Sequence, residues 1–289
     1  YGAAWVMESA VTGDVSADDH TELADDDDDA YYGQALALGD LDGDGWAEIL
    51  VGAPRADNAY SGAGAVYVYG WTGDPQNVSE ATLRIDGPSA SQYIGDTLAI
   101  LSDQNGDAIS EIVVAGQAAT GAAAESGAVW VVDVAASGVT DALSSANAFL
   151  PGGAYSDRFG GALCAADLDG DGVEDLVVGA WGGSDAYVFA GPVNGTVLNA
   201  DADATLSSST GGSFGIALGS GDDDGDGTAD LYVGGPNYNV SAGFEGAVWL
   251  FRGPLSGAVD SSAADASIVG ADRLDRVGGT LSVADIDKD

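Results

Sequence analysis

One acidic nonapeptide pattern recurs five times along this 289-residue chain, and that recurrence restricts the fold more than any other feature. Four copies are complete: Asp40-Leu41-Asp42-Gly43-Asp44-Gly45-Trp46-Ala47-Glu48, Asp103-Gln104-Asn105-Gly106-Asp107-Ala108-Ile109-Ser110-Glu111, Asp167-Leu168-Asp169-Gly170-Asp171-Gly172-Val173-Glu174-Asp175 and Asp222-Asp223-Asp224-Gly225-Asp226-Gly227-Thr228-Ala229-Asp230. A fifth begins at Asp285, passes through Asp287 and stops at Asp289. Successive first aspartates stand 63, 64, 55 and 63 positions apart. A fixed spacing of this size marks an array of supersecondary units.

The flanks repeat as well. An aromatic-glycine pair and a short apolar stretch precede the motif, as in Tyr32-Gly33 and Phe214-Gly215. A β-branched run follows, at 49–53, 112–116, 176–180 and 231–235, and then an alternating aromatic run at 64–69, 127–132, 186–189 and 246–251. A last short run closes the unit, as at 81–85, 204–206 and 266–269. Each unit thus predicts four short strands bounded by glycine, proline and aspartate, with no helical periodicity of useful length. Four antiparallel strands per repeat of about 60 residues is the pattern of a β-propeller blade. The expected fold is therefore all-β, a propeller of four-stranded antiparallel blades with calcium loops, in a single domain over 1–289. Its motif units lie near 31–87, 92–150, 158–207 and 213–270, with a partial one at 276–289.

The loops carry the chemistry. Calcium takes six to eight oxygen ligands, and a nonapeptide with side-chain oxygens at positions 1, 3, 5 and 9 and a backbone carbonyl at position 7 supplies such a set. The candidate ligands are Asp40, Asp42, Asp44, Trp46 and Glu48; Asp103, Asn105, Asp107, Ile109 and Glu111; Asp167, Asp169, Asp171, Val173 and Asp175; Asp222, Asp224, Asp226, Thr228 and Asp230; and Asp285, Asp287 and Asp289. Trp46, Ile109, Val173 and Thr228 would contribute carbonyls only. Glycines at positions 4 and 6 let the backbone turn with positive φ. The second loop departs, with Asn105 for an aspartate and Ala108 for a glycine, and weaker binding is expected there; the fifth is half a loop and is expected to bind poorly. Magnesium suits the loops less because it demands octahedral geometry and retains water. An EF-hand shares the opening but runs to 12 residues between helices.

Composition limits the partners. Asp and Glu number 47 against 7 Lys and Arg, a formal charge of −40, which repels nucleic acid and anionic lipid and attracts cations. An acidic, lysine-poor surface is also a halophile's, the plainer reading of the total charge. With 46% hydrophobic residues the chain can still build a core. The one cysteine, Cys164, excludes an internal disulfide and reads as a small buried hydrophobe. The one histidine, His20, leaves no hydrolytic triad and reads as a surface residue. Asp25 to Asp29 read as a solvated acidic loop, Trp130 and Trp249 as core, and Trp46 and Trp181 as loop residues that could meet a glycan. The sequons at Asn77, Asn194 and Asn239 are taken as coincidental, and no run is apolar enough to span a membrane.

These units resemble FG-GAP repeats, named for the aromatic-glycine and Gly-Ala-Pro signatures that here read Phe214-Gly215 and Gly52-Ala53-Pro54. The signatures loosen to Ala115-Gly116-Gln117, Gly179-Ala180-Trp181, Tyr93-Ile94-Gly95 and Val277-Gly278. The resemblance, to integrin α subunits, implies a seven-bladed ring with calcium in hairpins on one face and a protein or glycan ligand on the other. On that reading Tyr1 to Val6 belong to a preceding blade and Asp285 to Asp289 to a following one, leaving four to five blades of the ring. It also implies a secreted or cell-surface, non-catalytic adhesion scaffold. The alternatives are an accessory propeller of a larger secreted enzyme, of the polysaccharide lyase or phospholipase type, and a structural halophilic spacer.

Overall fold

The computed structural model describes residues 2–6, 21–24, 30–58, 60–70, 81–133, 138–140, 143, 146–240 and 243–284. His20, Asp25 to Asp29, Asn77 and the fifth loop at Asp285, Asp287 and Asp289 lie outside the described residues. Four sheets follow one another along the chain. The first holds β3 (Leu36–Gly39), β4 (Glu48–Ala53), β5 (Ala65–Tyr69) and β6 (Leu83–Asp86). The second holds β7 (Thr97–Leu101), β8 (Glu111–Gly116), β9 (Ala128–Val132) and β11 (Ala148–Pro151). In the third are β12 (Phe159–Ala166), β13 (Asp175–Ala180), β14 (Asp185–Phe189) and β16 (Ala204–Ser207). The fourth has β17 (Ala217–Gly221), β18 (Asp230–Gly235), β19 (Ala247–Phe251) and β21 (Ala266–Val269). An antiparallel pair, β1 (Ala3–Val6) with β2 (Thr21–Ala24), precedes them.

Period-two alternation explains why consecutive sheets stack face to face as propeller blades. In β8, Ile112 and Val114 point into a core shared with Leu50, Val66 and Ile85 of the first sheet. The intervening Val113 and Ala115 point into a core shared with Leu176, Val178 and Phe189 of the third. A third core joins Val177, Val188 and Leu206 to Leu231, Val233 and Trp249. Because both faces of each middle strand are buried, these strands read as continuous apolar runs instead of alternating ones. Trp130 and Trp249 are core residues, each 5% exposed. First strands of neighbouring sheets touch in the order β3, β7, β12, β17, so they line one side of the stack.

The two glycine signatures meet between blades. A Cβ on Gly52, Gly179 or Gly234, each in its unit's second strand, would overlap the carbonyl oxygen of Gly95, Gly215 or Gly278, the aromatic-glycine residue of the next unit. Those partners are themselves left-handed, at φ 89°, 88° and 86°. At the interface of the second and third sheets Ala115 holds that place, and there the facing strand β12 carries a bulge between Phe159 and Ala162. Phe159 and Phe214 are fully buried against the preceding blade.

Three sheets gain a fifth strand beyond the four read from the sequence. Short parallel strands β10 (Gly138–Thr140), β15 (Gly195–Thr196) and β20 (Gly257–Asp260) lie in the third-to-fourth connections of the second, third and fourth sheets. They pair with β6, β11 and β16, the outermost strands of the sheets before. Each unit thus clasps its predecessor's open edge, which otherwise would be a pairing hazard. Among the described residues, 3-10 turns at Asn199–Asp201 and Ser261–Ala263 are the helical elements with full ends. Among the described residues no helix is long and apolar enough to cross a membrane, which says nothing of a β-barrel.

Candidate metal centres

Up-and-down order within each sheet sends every first-to-second hairpin to one end of the stack. The four complete loops therefore occupy one face, each joining a first strand to a second: β3 to β4, β7 to β8, β12 to β13 and β17 to β18. They share one hydrogen-bond plan. The position-one aspartate spans the turn: Gly43 and Gly45 N–H donate to Asp40 Oδ1 and Oδ2 at 2.8 and 2.9 Å. Asp167 accepts from Gly170 and Gly172 at 2.7 and 2.9 Å, and Asp222 from Gly225 and Gly227 at 2.7 and 3.0 Å. In the second loop Gly106 and Ala108 donate to Asp103 at 2.6 and 2.7 Å. The position-nine acid closes the ring by accepting the position-two N–H. These bonds run from Leu41 to Glu48 at 2.8 Å, Gln104 to Glu111 at 2.9 Å, Leu168 to Asp175 at 2.8 Å and Asp223 to Asp230 at 2.8 Å.

The backbone adopts the expected turn. Positions four and six are left-handed throughout, at φ 75° and 92° for Gly43 and Gly45, 81° and 90° for Gly170 and Gly172, and 76° and 91° for Gly225 and Gly227. Ala108 is held there too, at φ 69°, a strained conformation for a residue with a Cβ.

Carboxylates at positions one, three and nine converge. Oxygens of Asp40, Asp42 and Glu48 lie within 4.8 Å of one another, as do those of Asp167, Asp169 and Asp175 and of Asp222, Asp224 and Asp230. The position-five acids Asp44, Asp171 and Asp226 stand outside these trios, each with Oδ1 accepting from the N–H of position seven, Trp46, Val173 or Thr228, at 2.8 Å. In the second loop Asp107 does the same for Ile109 at 2.9 Å. There Asn105 replaces the middle carboxylate. Its Oδ1 accepts from Asp107 N–H at 2.9 Å and its amide donates to Asp133 at 3.3 Å.

The donor set suits a hard cation. All side-chain donors are oxygens, and His or Cys, which zinc and copper favour, is absent from the loops. The protein leaves their charge largely uncompensated. Burial, reinforced by Asp42, Asp44 and Asp40, raises the carboxyl of Glu48, and burial with Asp169 and Asp167 raises that of Asp175. Glu111, 1% exposed, is pushed to about 7 by burial and then by Asp103, Asp107 and Asp133. Its Oε1 accepts no hydrogen bond. A buried carboxylate oxygen without a partner is costly unless something positive meets it, and a divalent ion in the loop fits that need. Among the described residues, the ion pairs at a loop are those of Arg252, which sits 3.0 Å from Asp223 and 3.4 Å from Asp224.

Several residues singled out by the sequence sit elsewhere. Trp46 is 66% exposed beside its loop, and the indole of Trp181 donates to Gln117 Oε1 at 3.1 Å. Cys164 is half-buried, with Sγ 3.2 Å from Ser220 Oγ. The sequence reading passed over Asp96, whose carboxyl burial pushes up to about 6. It lies with Tyr31, Arg55 and Tyr93 in a cleft of about 430 Å³ at the end of the stack opposite the loops. Its one sequence signal is a charge directly after the aromatic-glycine pair, where the other units carry Gln34, Gly161, Ile216 and Gly279.

The FG-GAP repeat family matches residues 32–69 and 159–197, each running from the aromatic-glycine pair through the acidic loop and the aromatic third strand. Integrin alpha-IIb of Mus musculus is 33% identical over 167 residues, 55% of this chain and 16% of that protein. Integrin alpha-V of Gallus gallus is 32% identical over 224 residues, 72% of this chain and 20% of that protein. The chain therefore spans about a fifth or less of the length of these relatives. Among solved structures, a BBS1N chain crystallised with ARL6DN overlaps 78% of this chain and 55% of its own, at 13% identity and a TM-score of 0.39. With signature glycines meeting at the blade interfaces and an acidic loop between the first two strands of each unit, the chain is an integrin α-like FG-GAP repeat protein.

Proposed function

We propose that this is a non-catalytic, calcium-stabilised scaffold outside the cell, with metal loops on one face and a ligand-binding surface on the other. The convergence of three carboxylates in each of three loops carries the reading. Asp40, Asp42 and Glu48, Asp167, Asp169 and Asp175, and Asp222, Asp224 and Asp230 would hold the ions, with Asp103, Asn105 and Glu111 forming a weaker fourth site. A bound ion would neutralise like charges that burial forces together and so lock the first hairpin of each blade. The position-five acids would reach it through water or after leaving the position-seven N–H, and the carbonyls of Trp46, Ile109, Val173 and Thr228 would complete the sphere.

Two features support the opposite face as the binding surface. Among the described residues it carries four of the five exposed aromatic residues, Tyr31, Tyr60, Tyr155 and Phe244, at 50%, 53%, 70% and 42% exposure, Trp46 being the one on the loop face. Among the described residues, eleven of the twelve left-handed non-glycine positions lie in its loops, Ala108 being the other, and strain of this kind is typical of loops held for recognition. The extracellular setting, and a protein or glycan ligand, follow from the resemblance to integrin α chains.

Calcium titration by calorimetry, paired with thermal unfolding in calcium and in chelator, tests the reading. Three or four ions should bind, and each should stabilise the fold by mass action, about 2.7 kcal/mol at a hundredfold excess over its dissociation constant. Superimposable melting curves in calcium and in chelator would remove the structural role.

A further inference from the structure

The four loop sites do not stand alone, and one junction between them is built differently from the others. First and second loops meet through backbone alone, Ser110 N–H donating to the carbonyl of Leu41 at 3.0 Å. Third and fourth loops also meet through backbone, Ala229 N–H donating to the carbonyl of Asp167 at 2.9 Å, with Leu255 N–H from the fourth sheet's third-to-fourth connection reaching that of Leu168 at 3.2 Å and, ahead of the loops, Ser220 Oγ that of Ala165 at 3.5 Å. Between the second and third loops two side chains form a clamp. Gln104 Nε2 donates to the carbonyls of Glu174 at 3.2 Å and Ser102 at 3.1 Å, while Ser102 N–H donates to Glu174 Oε2 at 2.7 Å.

Both residues break the repeat. Position two is Leu41 and Leu168 in the first and third loops, both buried, and Asp223 in the fourth; in the second it is Gln104, 8% exposed. Position eight is Ala47, Ser110 and Ala229 elsewhere, and Glu174 in the third. The two departures occur on opposite sides of one junction and touch.

A continuous path joins the closing acids of the two loops. Asp175 Oδ1 accepts from Gly191 N–H at 3.0 Å. Two residues on, Val193 N–H donates to Gln104 Oε1 at 3.3 Å. Gln104 N–H in turn donates to Glu111 Oε2 at 2.9 Å, and the other oxygen of Glu111 is the buried one with no partner. Whatever fixes Asp175 therefore fixes the turn that holds Gln104, and Gln104 sets the position of Glu111.

We propose that Gln104 and Glu174 are positioning residues that couple the second loop to the third, so that a cation seated in the third raises the affinity of the second. The inference rests on the cation reading of the loops. The second loop needs the help: it has a neutral Asn105 among its donors and a strained Ala108 in its turn. Ordering its closing acid in advance removes part of the cost of binding there.

The test is a calcium chloride titration of the full chain labelled with nitrogen-15, following the amide resonances of Gly106 in the second loop and Gly172 in the third. Asp169→Ala cripples the third loop. In that variant the Gly106 midpoint should move to about tenfold higher calcium, the size of an ordinary coupling between sites. Gln104→Leu restores the residue that Leu41 and Leu168 show can be buried at this place, and in that background Asp169→Ala should leave the Gly106 midpoint where it was. Glu174→Ala, matching Ala47 and Ala229, should uncouple in the same way. An unshifted Gly106 midpoint in Asp169→Ala alone overturns the coupling, and a tenfold shift that persists in the Gln104→Leu background overturns its assignment to the clamp. If neither resonance responds to calcium in the parent protein, the cation reading itself falls.

Discussion

The glycine that opens the Gly-Ala-Pro signature should be needed for contact between blades and not for backbone freedom, and one pair of substitutions separates the two. Gly179 is not in the left-handed region, yet a Cβ there would overlap the carbonyl oxygen of Gly215 in the next blade. The obstruction is backbone, so no rotamer relieves it, and the third and fourth sheets must move apart. Their shared core includes Val177, Leu206, Leu231 and Trp249. A gap of 0.5 to 1 Å forfeits about a quarter to a half of each dispersion contact, and Gly179→Ala is expected to cost about 3 kcal/mol, the upper part of the range for overpacking. Gly172 is the opposite case. It lies at φ 90° with nothing within 4 Å of an added Cβ, so Gly172→Ala bears only the left-handed cost of about 1 kcal/mol. Urea unfolding in chelator, read by tryptophan fluorescence, compares the two without metal linkage, and Trp130 and Trp249 report from the interfaces. Equal losses, or a larger loss for Gly172→Ala, would refute the contact argument.

Other substitutions test the remaining claims. Ala108→Gly should stabilise the metal-free protein by about 0.5 to 1 kcal/mol, the left-handed strain released less the extra unfolded-state freedom of glycine; a melting temperature that stays or falls would contradict it. Phe214→Ala, emptying a fully buried site whose ring centroid lies 5.2 Å from that of Trp249, should cost about 3 to 5 kcal/mol in the same urea assay. Arg252→Ala frees Asp223 and Asp224 and should raise calcium affinity at the fourth loop a few-fold at low salt; calorimetry showing unchanged or weaker binding there would exclude competition by the guanidinium. Asp96 links stability to pH: burial raises its carboxyl from 3.8 to about 6, against the opposing pull of the Gln117 N–H, Arg158 and Arg55. The fold thus favours the neutral acid, and this contribution is complete below the unfolded value and lost as pH rises through 6. Asp96→Asn should then be the more stable protein above pH 7, by at most about 3 kcal/mol, with the difference between the two urea profiles developing between pH 4 and 6. Parallel profiles would show that the site does not hold the neutral acid.

Blade architecture was legible because one solution is written four times: continuous apolar runs such as Ile112 to Ala115 mean strands covered on both faces, and the glycine-rich acidic turns fix where the first hairpin of each unit lies. What the sequence could not show is what depends on a neighbouring unit. The strand β15 is only Gly195 and Thr196, too short for any periodicity, and it exists because β11 offers an open edge beside it. Spacing alone also assigns positions one, three and five equally to a cation, whereas the folded loop divides them, bringing the carboxylates of positions one, three and nine together and leaving that of position five outside the trio. Repetition has a second consequence. A residue that recurs at its place, such as Leu41 and Leu168, is explained by the architecture it serves, so the informative residues are the departures. Ala115 coincides with a bulge in the facing strand, Asp96 with a buried carboxyl in a cleft, and Gln104 with Glu174 in a clamp between two loops. In a chain whose units otherwise do the same thing, a polar side chain buried at a place where the other buried residues, Leu41 and Leu168, are apolar must answer to a neighbour. Here that neighbour is the adjoining acidic loop.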